Sequence, residues 1–257
     1  MSPAVEPIPL ARLALVFVPV LVVLLIQFRW TLPVRSTTYG LGRMLLQLLL
    51  VGYVLVYLFD SGNAWIVCAV IFVMITISSW IALRPIAEQR PRLYLITVAA
   101  IGIGGVPSLF LATELVLDLT PWYAPRYLIP LAGMVFANAM NSVSIAAERH
   151  MTELERGQGN ESARRAAFQA ALIPLINSLF AVGLVSLPGM MTGQVLAGIS
   201  PLIAARYQIL VMCILFGSSG IAAACYLYWC KPQNLPSKPR GLNDSTKQWS
   251  AVQHGRQ

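Results

Sequence analysis

Two stretches of this chain, residues 64–83 and 93–113, contain no Asp, Glu, Lys or Arg, and a third, 166–205, runs uncharged for 40 residues. A hydrocarbon core about 30 Å thick is crossed by about 20 helical residues, each rising about 1.5 Å. Uncharged runs of that length dictate membrane-spanning helices, because a backbone in lipid must satisfy its own hydrogen bonds. Composition agrees. With 57% of residues hydrophobic and 11% charged, the chain carries more apolar surface than one water-soluble core can cover. The expected fold class is an all-α polytopic membrane protein.

Seven crossings fit: residues 10–28, 43–59, 64–83, 93–113, 127–147, a sixth from 166 to about 187, and 207–230. Arg12 sits close enough to an end of the first to snorkel to the interface. Gly102, Gly104, Gly105 and Pro107 predict a kink in the fourth. Pro188 splits the 40-residue run and leaves 189–205 as an apolar loop that re-enters the membrane or lies along it. Cytoplasmic loops carry an excess of Lys and Arg. With the N-terminus outside, Arg12, Arg126 and Arg206 are the outside basic residues, and every other Lys and Arg falls inside, so the expected topology is N-out, C-in. The first nine residues hold no Lys or Arg and no cleavage site follows the first apolar run, so that run is expected to stay as a helix. Residues 1–230 are then one transmembrane domain with a cytoplasmic loop at 148–165. Residues 231–257, rich in Pro, Ser, Asn and Gln, read as a disordered cytoplasmic tail.

The net charge of +8 does not indicate nucleic acid, because the basic residues lie between apolar runs rather than on a polar domain. Cys68, Cys213, Cys225 and Cys230 all fall in apolar stretches without zinc-ligand spacing, and they read as buried free thiols. No phosphate-binding G-x-x-x-x-G-K-[ST] loop occurs, so the chain cannot hydrolyse ATP alone. His150 and His254 are isolated from any Ser or Cys triad. An enzyme is not indicated, and no cofactor is expected.

Polar residues inside the apolar runs are the candidates for function. Asn138, Asn141, Ser144 and Glu148 follow at spacings of three, three and four, one broad face of a helix. Lipid cannot satisfy that stripe, so it either bonds another helix or lines a pathway. Gln47, Thr76, Ser78, Asn177, Ser178 and Ser186 are possible partners. Glu114, with Asp118 one turn further on, is a cation or proton site at the outer mouth if the fourth helix extends past Thr113, and an ordinary interfacial acid if it stops there. Met134, Met140, Met190, Met191 and Met212 read as packing residues. Residues 148–165, ERHMTELERGQGNESARR, mix four Glu with four Arg around a glycine break, which predicts a short helix pair with Asn160 or Ser162 as the cap of the second.

NAMNSVSIAAE (138–148) and AALIPLINSLFAVGLVSLPGMMTGQVLAGISPLIAARYQILV (170–211) resemble the FetB-type permeases, also called YbbM. Similar spacing reaches back to GRMLLQLLLVGYVLVYLF (42–59), so most of the chain is covered. That family comprises membrane subunits of bacterial ABC transporters linked to iron export and is similar to plant permeases of aluminium tolerance. The resemblance implies a multi-pass permease of the cell inner (plasma) membrane, in contact with membrane lipid, that exports iron or another metal cation with a separate ATPase. It also implies a homodimer of the permease. The pathway would be lined by Asn138, Asn141, Ser144, Glu114 and Asn177. Coupling to the ATPase would fall to Glu148, Glu153, Glu155, Arg156 and Gly157, where Glu153 and Gly157 echo the acid-then-glycine pattern of such loops at a different spacing. No dense metal-ligand cluster stands in the sequence. The rival readings are a secondary transporter or channel without an ATPase, which would couple through intramembrane acids or inverted repeats, and an intramembrane lipid enzyme.

Overall fold

The computed structural model describes residues 9–60 and 62–230. The expected tail, 231–257, lies outside the described residues. Among those described there are helices and no strands; a single bridge pairs Val182 with Ser186. The chain divides into two compact units, residues 1–62 and 63–257.

The first unit holds α1 (Leu10–Leu15), α2 (Phe17–Arg29) and α3 (Val34–Asp60). The expected first crossing is thus broken at Val16. The cause lies in Pro19, whose missing N–H leaves the Leu15 carbonyl without its helical donor. Helix α3 begins nine residues before the expected Arg43, since Ser36 and Thr38 bond back to carbonyls at 33–35 and hold a polar first turn. No residue of α2 is buried, as befits a helix apolar all round.

The second unit contains α4 (Ala64–Ala82), α5 (Arg90–Phe110), α6 (Pro125–Glu155), α7 (Asn160–Ala181), α8 (Gly189–Leu196) and α9 (Pro201–Trp229). Asn63 caps α4 by accepting the Trp65 N–H at 2.9 Å. Helix α5 passes through the Gly102–Pro107 region without a break and continues as a π-helical turn, Leu111–Val116. Two of its glycines are points of close packing. A Cβ on Gly104 would collide with the Ser218 carbonyl of α9 and stand 2.8 Å from the Ala222 nitrogen; one on Gly105 would meet Phe136 of α6.

Helices α6 and α7 form an antiparallel hairpin, and α7 runs antiparallel to α9 as well. Two contacts eight residues apart fix the latter register: Arg164 reaches the Tyr228 carbonyl, and Leu172 lies 3.8 Å from where a Cβ on Gly220 would stand. On α7, Ala163, Ala167 and Ala171 repeat every four residues and are fully buried, which lets the helix lie close to its neighbours.

Six helices among the described residues are long and apolar enough to cross a membrane: Arg12–Arg29, Val34–Phe59, Ala64–Ala82, Ala87–Val116, Pro125–Glu155 and Pro201–Trp229. Helix α7 is not one of them. Its first turns carry Glu161, Arg164 and Arg165, and the chain leaves the helix at Val182 rather than near Leu187 as expected. Its uncharged part is about 24 Å long at 1.5 Å per residue, short of a full hydrocarbon core. Because α6 and α9 run the same way, however, α7 and residues 182–200 still return the chain from one end of the unit to the other. The expected loop 189–205 is in fact the short helix α8 followed by the start of α9, six residues earlier than expected.

Candidate functional site

Helix α6 carries the polar stripe on the side away from its packed face. Leu131, Val135, Phe136, Ala139, Val143 and Ala146 are buried, whereas Asn141 and Glu148 are exposed and Asn138 and Ser144 are half-buried. Asn138 donates to the Met134 carbonyl of its own helix at 2.9 Å. The hydroxyls of Thr76, Ser78 and Ser178 likewise bond carbonyls of their own helices. Among the described residues, no side-chain hydrogen bond joins Asn138, Asn141 or Ser144 to another helix. The stripe is therefore not used as glue within this unit, and it needs water or another polypeptide if it sits at membrane depth.

Asn177, the expected pathway residue on α7, falls level with Asn138. Each lies about 26 Å along its helix from the hairpin turn at 1.5 Å per residue. Asn177 and Ser178 also line an open cleft of about 360 Å³ together with Ser186 and with Met212 of α9. That cleft was not legible in sequence, because it depends on the tight turn after α7, where Gly183 takes φ +81° and its N–H reaches the Ser186 carbonyl at 2.9 Å.

Glu114 lies inside the π-helical turn, so the helix does extend past Thr113. One of its carboxylate oxygens is occluded without a hydrogen-bond partner. Asp118 is beyond the turn with φ +47° and does not continue the same helical face, contrary to the expected spacing. Among the described residues no hydrogen bond joins Glu114 to Asn138, Asn141 or Ser144. A cavity of about 50 Å³ near this end is lined by Leu117, Arg126, Met134, Met190 and Tyr207. Among the described residues, no three His, Cys, Asp or Glu side chains are grouped to hold a metal ion.

The loop expected at 148–165 is almost wholly helical. Helix α6 ends at Glu155 and α7 starts at Asn160, leaving a four-residue turn. Gly157 adopts φ +83°; its N–H reaches the Leu154 carbonyl at 3.0 Å, and the Gln158 N–H reaches that of Glu153 at 3.1 Å. This pair of bonds is a Schellman cap, and it explains the glycine. Neither Asn160 nor Ser162 caps α7: Gly159 holds that position. Asn160 instead meets the buried His150 ring, Oδ1 to Nε2 at 3.2 Å, while Ser162 bonds Gln158.

Of the expected coupling residues, Glu153 is turned inward. It is 6% exposed and held by Arg149 at 2.7 Å and Arg156 at 3.2 Å. Glu155, Arg156 and Gly157 are exposed at the tip, and Glu148 is exposed further down, where it accepts from Thr152 at 3.2 Å. Sequence reasoning missed His150 and Arg164. The available signal was the alanine repeat at 163, 167 and 171, which already placed the two helices close together.

Charge is unevenly divided between the two ends of this unit. The hairpin end carries Arg149, Arg156, Arg164 and Arg165. Arg84, Arg90 and Arg92 join them there, since the α4–α5 connection lies at the end where α6 and α9 finish. The opposite end has Arg126 and Arg206. A helical unit with apolar outer faces, one basic end and a polar hairpin beyond it defines a polytopic membrane protein. The chain belongs to the uncharacterised protein family UPF0014, which matches residues 10–234. It is 41% identical to a UPF0014 membrane protein of Synechocystis, over 66% of this chain and 72% of that one. It is 32% identical to the probable iron export permease protein FetB of Escherichia coli, covering 86% and 91%. It is also 30% identical to the Arabidopsis thaliana protein named Aluminum sensitive 3, over 85% of each. No solved structure matches the chain significantly.

Proposed function

We propose that the chain is the membrane-spanning subunit of an ABC transporter in the cell inner membrane, exporting iron or another metal cation with the help of a separate ATPase. The observation that carries this reading is the α6–α7 hairpin, a rigid pair of helices whose tip projects at the basic end of the second unit. The positive-inside rule puts that end in the cytoplasm, giving N-out, C-in with α7 as the shortened sixth of seven crossings. An ATPase that closes around nucleotide could then push on Glu155, Arg156 and Gly157, and a stiff hairpin would deliver that push to the membrane. The name given to the Escherichia coli relative supports iron as the first cation to test.

The pathway in this reading runs along Asn138, Asn141 and Ser144 and the cleft beside Asn177, with Glu114 towards the outer mouth. Within the second unit that face is unpartnered, and in this reading a second copy of the permease closes it. Hard cations prefer oxygen ligands, and amides, hydroxyls and one carboxylate bind them weakly enough to let them leave. The test is reconstitution in vesicles with the ATPase, following ferrous iron. Movement that requires hydrolysable nucleotide is expected; equal movement without nucleotide would show a channel or secondary transporter instead.

A further inference from the structure

The hairpin arginines are not equivalent. Arg149 and Arg156 both pair with Glu153, and Arg165 pairs with Glu161. Among the described residues Arg164 has no carboxylate within salt-bridge distance, although it is half-buried and its Nε is occluded without a hydrogen-bond partner. Among the described residues its side chain bonds across to another helix: Nη2 donates to the Tyr228 carbonyl, 3.1 Å away, in the last turn of α9. Those last carbonyls have no donor within the helix and carry the negative end of its dipole. A guanidinium there both fills a bond and offsets charge.

The surroundings make this contact a joint. At the same junction His150 of α6 bonds Asn160 of α7, and Tyr226 and Cys230 of α9 are buried. The cytoplasmic ends of three helices are thus gathered within one turn of the hairpin. Beyond the joint, α9 touches α5 backbone to backbone where Gly104 meets Ser218 and Ala222, so α9 cannot move without carrying α5.

We infer that Arg164 is a positioning residue that ties the hairpin to the end of α9, so that a displacement of the tip is delivered to α9 and α5 rather than absorbed by bending at the turn. The inference rests on the ATPase reading for its function, but the tie itself does not. Two measurements therefore test it. In vesicles holding the permease and its ATPase, ferrous iron moved per nucleotide hydrolysed falls about fivefold or more in Arg164→Gln while hydrolysis persists, and Arg164→Lys recovers most of the ratio. Separately, nitroxide side chains at Gln158 and Trp229 give one narrow distance in the unaltered permease without ATPase, and a broad distribution in Arg164→Gln. An unchanged ratio or an unchanged distribution in Arg164→Gln overturns the inference. So does loss of the folded protein in both variants, because the residue would then be needed for folding alone. If the unaltered protein moves no iron with nucleotide, the transporter reading fails, and the distance measurement still decides the tie.

Discussion

Gly104, Gly105 and Gly102 form a graded test of how α5 is packed. An alanine at 104 places its Cβ against the Ser218 carbonyl, 2.8 Å from the Ala222 nitrogen and 2.9 Å from its Cβ. The first two are backbone atoms of α9, so relief requires the two helices to separate. An alanine at 105 meets Phe136 Cδ1 at 3.0 Å and Val135 Cγ1 at 3.3 Å, and its tightest contact is with the same phenyl ring, a side chain, which yields more readily than backbone. Overpacking costs about 1–3 kcal/mol, so Gly104→Ala belongs at about 3 and Gly105→Ala near 1. Gly102 has nothing within 4 Å, and alanine there gains about 0.5–1 kcal/mol of helix propensity. The assay is reversible unfolding of each purified variant in mild detergent by titration with a denaturing detergent. Phe136→Leu should rescue Gly105→Ala, whereas Ala222→Gly should rescue Gly104→Ala only in part because the Ser218 carbonyl remains. Equal costs at 104 and 102, or full rescue of 104 by Ala222→Gly, would refute backbone contact between α5 and α9.

Three further outcomes follow from the same packing. Glu153→Gln leaves Arg149 and Arg156 facing a neutral amide beside the buried His150; with both arginines partly exposed the cost is about 1–2 kcal/mol, read in the same unfolding titration. Ala167→Leu, at a fully buried α7 position, separates the hairpin helices and costs about 1–3 kcal/mol, visible as faster proteolysis in the tip between Arg156 and Gly159. Asn141→Leu, at an exposed position, leaves unfolding within about 0.5 kcal/mol of the unaltered protein but abolishes nucleotide-dependent iron movement, measured in vesicles.

The membrane class and most helix positions were legible because charge is expelled from lipid, and uncharged runs mark where the chain must be buried. The rule failed where charge and helix part company. Arg35 and Arg43 hid the first turns of α3, and the uncharged 166–205 run hid the turn at Val182, because neither charge nor its absence determines where a backbone leaves the helix. The polar stripe at 138, 141 and 144 was legible as one face from its period alone. That it looks outward was not, since only the buried positions 135, 136, 139 and 143 reveal which side of α6 is packed. Gly104 and Gly105, read from the sequence together with Pro107 as the site of a kink, are also points of close contact with α9 and α6. A lone sequence cannot separate those two uses of glycine, because the difference lies in Ser218 and Phe136, more than thirty positions away.

Helix α6 belongs to two environments at once. One side, through Phe136, Ala139 and Val143, is buried against its neighbours, and Phe136 lies close to Gly105. The other side carries Asn138 and Asn141, which make no side-chain hydrogen bond to another helix of this unit. A helix is stiff along its length, so the two sides cannot move separately: any tilt of α6 demanded by repacking at Gly105 also turns the polar face. Tight backbone contacts of the Gly104 type resist sliding but permit helices to pivot as a block. A push on the hairpin tip, which continues α6 without a break, would therefore change how the polar face is presented before it changed the packing beneath. Under the proposed function, opening and closing of the pathway would be set at the exposed side of α6, where fewer packed contacts resist reorganisation.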